Sequence, residues 1–485
     1  MYELSKQLIE TLEREKIHYC HWKSNLLLNE ALNGYDDLDL LVRRGDLARF
    51  ETAIMAMGFR EASNRHMHLN GVKHFYGLDA KSGSILHLHV YYQIKTGPSW
   101  IKSYRFDFEE YFLANTALHE SGMKVPRKHI ELVLFVFRIM LKYTKLNEFI
   151  LINREQGRTR KEIEYLLSDL DRSGLESFLG SYFPDISAEA FFYYIDVIRD
   201  GSGLRKYIAA LRLKSELSKY HIYNRYQELY KNMYQLIYRV ANKLLLHQKK
   251  QLHSCGMLIV IAGLDATGKT TITSDLKTWL KKNFTLSLIH FGKPRSALLT
   301  YPVNLAITMM RKNAAESSAR SGLQKTGPKS FLYILRQLVL AYDRYALIKR
   351  YWQRASWGEI VICDRYKSEN FGVMDSKRLD PEHYTGIKKK LALLENSLYR
   401  KMPEPDLLFY LTVPVEVAVQ RNEERIKDGK ESEAFLRTRH LENSDLTYKA
   451  KAQYIIDTNR DYGDVISEIK HIVWWYDYEK NCDSC

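Results

Sequence analysis

The residues best suited to chemistry run from Gly263 to Thr270 and have the spacing G-x-x-x-x-G-K-S/T. Phosphates need many donors at close range. Such a loop therefore uses glycines where a Cβ would block the backbone, and a helix N-terminus whose N–H groups face the anion. The spacing predicts a phosphate-binding loop for ATP and Mg²⁺, whereas a chance glycine turn is the alternative. The predicted ATP contacts are Gly263, Leu264, Asp265, Ala266, Thr267, Gly268, Lys269, Thr270 and Thr271.

A second polar group, Asp364-Arg365-Tyr366, follows an apolar segment. Ligands bind at the carboxyl edge of an open parallel sheet, so we expect these side chains beside the phosphate-binding loop. Asp364 suits water-mediated contact with Mg²⁺, and Arg365 suits a bidentate grip on a phosphate. The tripeptide by itself is common, and a purely structural role is the alternative.

These side chains need a sheet to hold them. From residue 256 to about 478, short apolar segments alternate with helical patterns, and their length and flanking residues indicate buried parallel strands. We therefore predict an α/β fold with a doubly wound parallel sheet. The predicted strands are MLIVIA, LSLIHF, EIVICD, DLLFYLTV and QYIID.

The two motifs, in this order, resemble those of thymidylate kinases over about residues 256 to 475. The segment LAYDRYALIKRYWQRASWGEIVICDRY resembles that family's acceptor-side helix, with Asp343 and Arg344, and the strand after it. PDLLFYLTVPVEVAVQRNEER resembles the strand and helix that lead into the lid, and YIIDT with VISEI resembles the final strand and helix. The resemblance implies a P-loop kinase that transfers the ATP γ-phosphoryl group to a nucleoside monophosphate or a related small sugar or phosphate acceptor.

The resemblance also implies roles for single residues. Lys269 and Thr270 would contact the triphosphate and Mg²⁺, and Asp265 would face the acceptor sugar. The acceptor-side residues would be Arg344, Arg365 and Tyr366.

Some relatives carry a catalytic arginine where this chain has Ala266, so the lid must supply the charge. The candidates are Arg421 and Arg425, four apart on one helical face, with Arg437 and Arg439 further on. A solvated basic helix surface is the alternative for them.

Two departures bear on the acceptor. Thymidylate kinases carry an Arg-Glu-Pro-Gly-Gly loop after the second strand, where this chain has FGKPR from Phe291 to Arg295. The family's thymine-reading glutamine is not evident in KSENFG, and residues 296–335 form a basic insertion without a close counterpart. These departures favour phosphoryl transfer over thymidylate specificity.

Near the start of the chain, Asp37 and Asp39 alternate in an apolar segment, which predicts two carboxylates on one face of a strand. Paired carboxylates can hold Mg²⁺ for nucleotidyl transfer. About residues 15 to 115 resemble the nucleotidyltransferase fold, although Lys23-Ser24-Asn25 replaces its usual Gly-Ser, and His87 or His89 stands where a third carboxylate is expected. A non-catalytic nucleotide-binding remnant and a strand-edge solubility device are the alternatives.

Histidines are frequent in the same region. Ordinary packing and hydrogen bonding explain such a group of histidines, and a transition-metal site is the alternative. They are His66, His68, His74, His87 and His89.

Length and composition indicate the class of protein and the charge of its partners. The chain has 485 residues, 45% of them hydrophobic and 27% charged, with a formal charge of +15, which indicates a multidomain folded protein with anionic partners. We predict a nucleotidyltransferase-like domain (1–120), a helical region with a linker (121–252), a kinase domain (253–478) and a tail (479–485). Tyr220 to Lys250 is expected to be a packed interdomain helix, with a membrane-surface or RNA-contacting helix as alternatives.

The expected partners are ATP and a small anionic acceptor, and a homodimer is left open. The five scattered cysteines are typical of a reducing cytoplasmic location, although the pair Cys482 and Cys485 leaves a minor metal-binding alternative. No segment has the length and apolarity of a membrane span. Two other function classes remain: an NTP-dependent switch or scaffold, and nucleotidyl transfer by the N-terminal domain.

Overall fold

The structure is a computed structural model that describes residues 1–485 apart from 255, 293, 298–299, 307, 310–329, 425–431, 443–445 and 477–485. The chain forms two compact units, Met1–Gln248 and Lys249–Cys485. The predicted tail and most of the basic insertion lie outside the described residues, as do Cys482 and Cys485.

The sheet of the first unit is mixed, with strand order β1-β2-β5-β4-β3. The strand β2 pairs in parallel with β5, whereas β1 with β2, β4 with β5, and β3 with β4 are antiparallel. The strand predicted around Asp37 and Asp39 is present as β2, and β1, β3, β4 and β5 complete the sheet. The bounds are β1 (Tyr19–His21), β2 (Leu38–Val42), β3 (Arg60–Ser63), β4 (Val72–Asp79) and β5 (Ser84–Tyr91).

Two hairpins complete the strands of this unit: β6 (Ile94–Thr96) with β7 (Tyr104–Phe106), and β8 (Thr116–Leu118) with β9 (Lys124–Pro126). Its short N-terminal helices are α1 (Glu3–Arg14), α2 (Leu28–Leu32), α3 (Leu47–Ala56) and α4 (Glu109–Ala114). The helical region follows as α5 (Lys128–Tyr143), α6 (Leu146–Arg154), α7 (Gln156–Leu167), α8 (Arg172–Tyr182), α9 (Ala188–Asp200), α10 (Gly203–Glu216) and α11 (Arg225–Ala241), which a π-helical segment extends through Asn242–Leu246.

The centre of the helical region is α5, whose sequence IELVLFVFRIMLKY is apolar on almost every face. A helix of this kind is stable only when it is surrounded. Helices α6 to α10 pack around it, and its buried residues join one core with those of α8 and α9.

All five strands predicted in the second unit are present and form one parallel sheet of order β12-β13-β11-β14-β15. Burial on both faces explains the continuous apolar sequence of the three inner strands, whereas the two edge strands keep exposed residues. This arrangement confirms the predicted α/β fold class. After the short strand β10 (Gln251–Leu252), the bounds are β11 (Met257–Gly263), β12 (Leu286–His290), β13 (Ile360–Asp364), β14 (Leu407–Thr412) and β15 (Ala452–Asp457).

The strand order places β11 in the middle of the sheet, between β13 and β14. The loops that follow β11 and β13 therefore lie side by side at the carboxyl edge. The helices of this unit are α12 (Lys269–Lys281), α13 (Phe331–Ala355), α14 (Gly386–Arg400), α15 (Val415–Glu423), α16 (Glu433–Glu442) and α17 (Tyr462–Trp475).

No helix in the described part of the chain combines the length and the apolar character that a bilayer crossing requires.

Candidate phosphate-binding and acceptor site

The loop between β11 and α12 has the backbone shape that its glycines predict. Gly263 has a φ of 146°, and a Cβ there would lie 2.7 Å from the carbonyl oxygen of Leu411. Gly268 is left-handed, with φ 89°, and is the N-cap of α12. Both conformations are readily available only to glycine. The loop thus turns tightly from strand to helix, and the first N–H groups of α12 can face an anion.

Two side chains hold the loop from within. The Thr267 hydroxyl donates to the Leu264 carbonyl oxygen at 2.9 Å, and the Lys269 ammonium donates to the same oxygen. Lys269 is 9% exposed, whereas Thr270 and Thr271, in the first turn of α12, are exposed. The lysine is thus positioned over the loop, where phosphates bound to the helix N-terminus would meet its charge.

Ala266 occupies the tip of this loop with a left-handed φ of 66°. Its methyl group is buried, and it packs with Ala418 and Val419 of α15 and Leu436 of α16. An alanine at this position therefore lets α16 approach the loop closely.

Helix α16 brings an arginine to the loop. Arg439 Nη1 lies 2.6 Å from Asp265 Oδ2, and His440 Nε2 lies 3.1 Å from the Asp265 carbonyl oxygen. On the other side, Arg365 Nη2 lies 3.3 Å from Asp265 Oδ1. The Asp265 carboxylate thus joins two guanidinium groups, one from the sheet edge and one from α16.

Arg365 has a left-handed φ of 69°, and its backbone N–H donates to Ile261 of the neighbouring strand. Strained backbone of this kind persists only where the surroundings hold it in place. Its Nη1 contacts the Met374 sulfur at 3.2 Å and lies 3.8 Å from Asp375 Oδ2. These contacts aim the guanidinium across the carboxyl edge of the sheet.

Arg344, on α13, is buried and makes hydrogen bonds to several groups of its own unit. It donates to the carbonyl oxygens of Phe291 and Gly292 at 3.2 and 3.0 Å, and to the Tyr399 hydroxyl at 2.7 Å. Its Nη2 also lies 2.8 Å from Asp375 Oδ1. Arg344 therefore fixes the loop after β12 and the carboxylate of Asp375 in one network.

Asp364 lies at the end of β13, and its Oδ2 pairs with His290 Nδ1 at 2.8 Å. Its other oxygen, Oδ1, is buried and has no hydrogen-bond partner among the described residues. Mg²⁺ keeps several waters and takes few protein ligands. Asp364 and the exposed hydroxyl of Thr270 therefore fit a Mg²⁺ ion held mainly by phosphates and water.

Tyr366 lies in the core of the second unit. Its hydroxyl donates to the Pro403 carbonyl oxygen, and its ring packs against Phe291 at 5.4 Å between centroids. Burial raises the pKa of its hydroxyl well above the ordinary value. These contacts support the sheet edge, and the side chain is 1% exposed.

A cavity of about 560 Å³ is lined by Arg365 and Arg439, the two arginines that pair with Asp265. Four arginines line it, from four different segments: Arg344, Arg365, Arg378 and Arg439. Asp375 contributes a carboxylate, and His290, Gly292, Tyr333 and Gln337 are also in the wall. Guanidinium groups outnumber carboxylates in the wall, which suits an anionic ligand, because a guanidinium such as that of Arg365 can grip a phosphate in a bidentate manner.

The remaining lid candidates differ in position. Arg421 Nη2 and Nη1 donate to the Thr458 carbonyl oxygen at 2.7 Å and its hydroxyl at 3.1 Å, so they fix the turn after β15. Arg437 is paired with Glu416 and Glu433 at the surface. Arg425 lies outside the described residues. Of the described lid arginines, Arg439 is the one at the loop.

Sequence reasoning missed several residues of this cavity. Asp375, with a left-handed φ of 59°, lies in an irregular segment without a motif, and Arg378 follows it. His290 ends a predicted strand and could have been found from that position alone, since its neighbour across the sheet is Asp364.

A second polar cluster lies in the first unit. Asp37 immediately precedes β2, and Asp39 is within it. As predicted, the two carboxylates share one face: Asp37 pairs with His87 at 2.5 Å, and Asp39 with His89 at 3.0 Å. Asp39 also pairs with Lys23 at 2.9 Å. Burial would raise the pKa of Asp39, but Lys23 and His89 hold it below its ordinary value.

Cations surround this cluster. The ammonium groups of Lys23 and Lys102 both donate to the Tyr91 hydroxyl, Lys23 at 3.2 Å. Burial, and then the neighbouring Lys23, lower the pKa of Lys102 well below the ordinary value. Burial likewise lowers the pKa of His89 to about 3, although Asp39 opposes that shift. The cluster thus combines carboxylates with lysines that lack full solvation.

His74, His87 and His89 stack on one another, with 4.4 Å between the ring centroids of His74 and His89. Within the described ranges, no group of three or more His, Cys, Asp or Glu side chains is arranged to hold a metal ion.

Comparison with known proteins concerns the second unit. A family model described as thymidylate kinase matches residues 313–469, which begin after the phosphate-binding loop. The ATP-binding protein YghR of Escherichia coli (strain K12) is 24% identical over 226 residues, which cover 44% of this chain and 86% of YghR. A solved structure of thymidylate kinase from Candida albicans is 21% identical, covers 47% of this chain and 93% of that chain, and has a TM-score of 0.27.

The thymidylate kinase of Prochlorococcus marinus is 30% identical over 183 residues, which cover 37% of this chain and 74% of the relative. The matched family model does not reach the first unit, whose resemblance to nucleotidyltransferases stays a prediction. The family match and the relatives support an ATP-binding, nucleotide kinase-like phosphotransferase. Through its second unit, the chain belongs to the thymidylate kinase family.

Proposed function

We propose that the second unit transfers the γ-phosphoryl group of ATP to a nucleoside monophosphate or a related small acceptor that carries a phosphate. The observation that carries this proposal is the arginine-lined cavity beside the phosphate-binding loop. Asp265 of the loop pairs with Arg365 of the cavity wall, so a donor on the loop and an acceptor in the cavity would meet there.

In this proposal the chain acts by positioning and by neutralising charge. The backbone of the loop and Lys269 bind the β- and γ-phosphates, and Arg365 orients the acceptor phosphate. Arg439 stabilises negative charge on the transferring group, whose bond to the β-phosphate oxygen breaks as the bond to the acceptor oxygen forms. Thr270 and Asp364 would hold Mg²⁺, which supplies charge neutralisation on the phosphate oxygens when bound.

The charges around the cavity favour an anionic acceptor. Four arginines line the cavity; Arg344 and Arg365 lie close to Asp375, and Arg365 and Arg439 lie close to Asp265. A phosphate dianion would balance the remaining charge. Arg344 positions Asp375 and the loop after β12, and Tyr366 supports the same edge from the core.

The test is a single-turnover assay with ATP labelled at the γ- or the α-phosphate, run with a panel of nucleoside and sugar phosphates. We expect the γ-label to move to an acceptor. Lys269→Ala should abolish this transfer without unfolding the protein, because the side chain serves the phosphates and not the apolar core. Lys281→Ala, at the exposed end of the same helix, is the matched control and should keep the parental rate.

Unchanged transfer in Lys269→Ala would remove the kinase assignment. Nucleotide binding without movement of either label would favour the switch or scaffold.

Nucleotidyl transfer by the first unit is the second candidate. It is favoured by the shared face of Asp37 and Asp39 and by the two lysines beside them, which could face a triphosphate. If the first unit transfers a nucleotidyl group, the α-label should move to an acceptor in the same assay. This movement should be lost in Asp39→Asn and retained in Lys269→Ala.

A further inference from the structure

The helix α11 is amphipathic, but its polar side is the one that faces the first unit. Tyr238 is its only buried residue, and that hydroxyl bonds with Asn64. Glu228 pairs with Lys145 at 3.2 Å, and Gln235 donates to the His66 carbonyl oxygen at 2.7 Å. The helix is therefore held to its unit largely by polar contacts.

The opposite side of α11 is apolar and exposed. Tyr226 is 84% exposed and Ile237 is 63% exposed, and the apolar residues between them recur three and four apart, which places them on one stripe. The stripe continues into the π-helical segment, where Leu245 is 78% exposed. Its members are Tyr226, Leu229, Tyr230, Met233, Leu236, Ile237, Val240, Leu244 and Leu245, and Leu246 is also exposed at the end of the segment.

A continuous apolar stripe of this length marks a surface that binds something. The charges beside it indicate which partner fits. Arg225 and Lys243 are exposed and lie along the same edge of the stripe at its two ends. The only carboxylate of the segment 225–246, Glu228, is turned inward onto Lys145.

These charges argue against a second copy of the helix as the occupant. Two stripes packed against each other in antiparallel fashion would bring the basic ends of one helix beside those of the other, with no carboxylate to pair with them. Like charges at such positions are destabilising. An anionic surface would instead pair with both cations while the apolar side chains enter its boundary layer.

We propose that α11 and its extension through Leu246 bind the surface of an anionic phospholipid membrane, with the helix lying in the plane of the headgroups. Tyrosines and leucines enter the boundary between headgroups and acyl chains, and Arg225 and Lys243 contact lipid phosphates. The contact is peripheral and does not depend on the kinase reaction.

The test is flotation of the full chain with vesicles of phosphatidylcholine alone or with about 30% phosphatidylserine. We expect binding to the anionic vesicles only, and weaker binding as salt rises. Ile237→Gln should lower the partition coefficient about tenfold or more, and Lys243→Gln about fivefold. Circular dichroism should be unchanged, since both side chains are exposed.

Ile208→Gln is the matched control, because Ile208 is 57% exposed on α10 of the same unit. It should bind vesicles like the parent, and all three variants should keep the parental kinase rate. Equal loss in Ile208→Gln and Ile237→Gln, or no binding of the parent to anionic vesicles, would overturn the proposal. A dimer in light scattering that Ile237→Gln dissociates would assign the stripe to a second copy, and retention of a single-stranded RNA in place of vesicles would assign it to nucleic acid.

Discussion

The residue with the widest influence on the candidate site is a small one, Ala266. Ala266 is 3% exposed and belongs to one buried cluster with Ala418 and Leu436, so this position has little room for a longer side chain. Because α16 can pack there, Arg439 reaches Asp265 at 2.6 Å. The alanine in the loop and the arginine that α16 places beside the loop are thus two parts of a single arrangement.

This arrangement predicts that Arg439 carries catalytic charge. Arg439→Ala should lower kcat by about 10³-fold while the KM for ATP changes little, because the contact would be made mainly in the transition state. Single-turnover rates at saturating ATP provide the measurement. Arg437→Ala, on the same helix but paired with Glu416 and Glu433 at the surface, is the control and should remain near the parental kcat.

If Arg439→Ala keeps the parental kcat, the transferring group must draw its charge from Arg365 or from a lid residue such as Arg421 or Arg425. Arg421→Ala in the same assay separates these cases. Its hydrogen bonds to Thr458 lead us to expect a change in stability and not in the chemical step.

For single residues, the sequence was a good guide where the backbone conformation of a position requires a particular residue type. Gly263 and Gly268 adopt conformations that other residues avoid, so their spacing carries the shape of the loop. It was a poor guide for Asp375. This carboxylate is part of the site because Arg344 of α13 and Arg365, which follows β13, reach it from distant parts of the chain. No local pattern encodes such a meeting.

Among the elements, α5 shows how burial changes the chemistry of one group. Glu131 lies in its first turn and is 3% exposed, and Oε1 accepts the Asn25 backbone N–H at 3.1 Å. Burial raises the pKa of this carboxyl from 4.5 to about 7, although the hydrogen bonds from Asn25 oppose the shift. The folded unit therefore holds a proton there that the unfolded chain would release.

The stability of α5 should depend on pH in a defined direction. Between pH 4.5 and about 7 the Glu131 carboxyl binds more protons in the folded state than in the unfolded state. The stability that Glu131 contributes is therefore fully present below about pH 4.5 and is lost as pH rises through 7. Glu131→Gln removes this dependence. The difference in the free energy of unfolding between the variant and the parent should therefore change by up to about 3 kcal/mol across this pH range. Hydrogen–deuterium exchange of peptides from residues 128–143, compared at each pH, measures it.

Glu120→Gln is the control, because Glu120 is exposed in the same unit and should leave the profile unchanged. A parental profile that matches Glu131→Gln at every pH would show that Glu131 is ionised in the folded unit.

Elements were predictable where their pattern was continuous. The strands of the second unit are apolar along their length, and each was found within a few residues of its bounds. The strand β4 was missed because VKHFYGLD mixes histidine, lysine and glycine with apolar residues, and its partner β5 supplies the pairing. The helix α11 was predicted from its spacing, but spacing alone does not say which face is turned outward.

For the whole molecule, the departures in sequence bear on which compound accepts the phosphoryl group. We expect thymidine monophosphate to be a poor one, because FGKPR replaces the family's acceptor loop and its thymine-reading glutamine is not evident. Initial rates with thymidine monophosphate should fall well below the ~1 to 100 per second typical of kinases. Other nucleoside and sugar phosphates, assayed at the same ATP concentration, provide the comparison.

Turnover of thymidine monophosphate in that range would contradict this expectation and assign the cavity to thymidylate. Arg378→Ala serves as a check that the acceptor binds there, since Arg378 lines the cavity away from the loop. It should raise the KM for the acceptor and leave that for ATP unchanged.

The position of β11 in its sheet also sets an order of events during synthesis. This strand leaves the ribosome after the first unit but well before its neighbours β13 and β14, and Gly263 rests against Leu411 of β14. At roughly 5 to 20 residues per second, the phosphate-binding loop therefore waits several seconds for the strands that shape it. The first unit is complete by Gln248 and can fold during that interval. The phosphate-binding loop thus takes its final shape only after β14 has been synthesised.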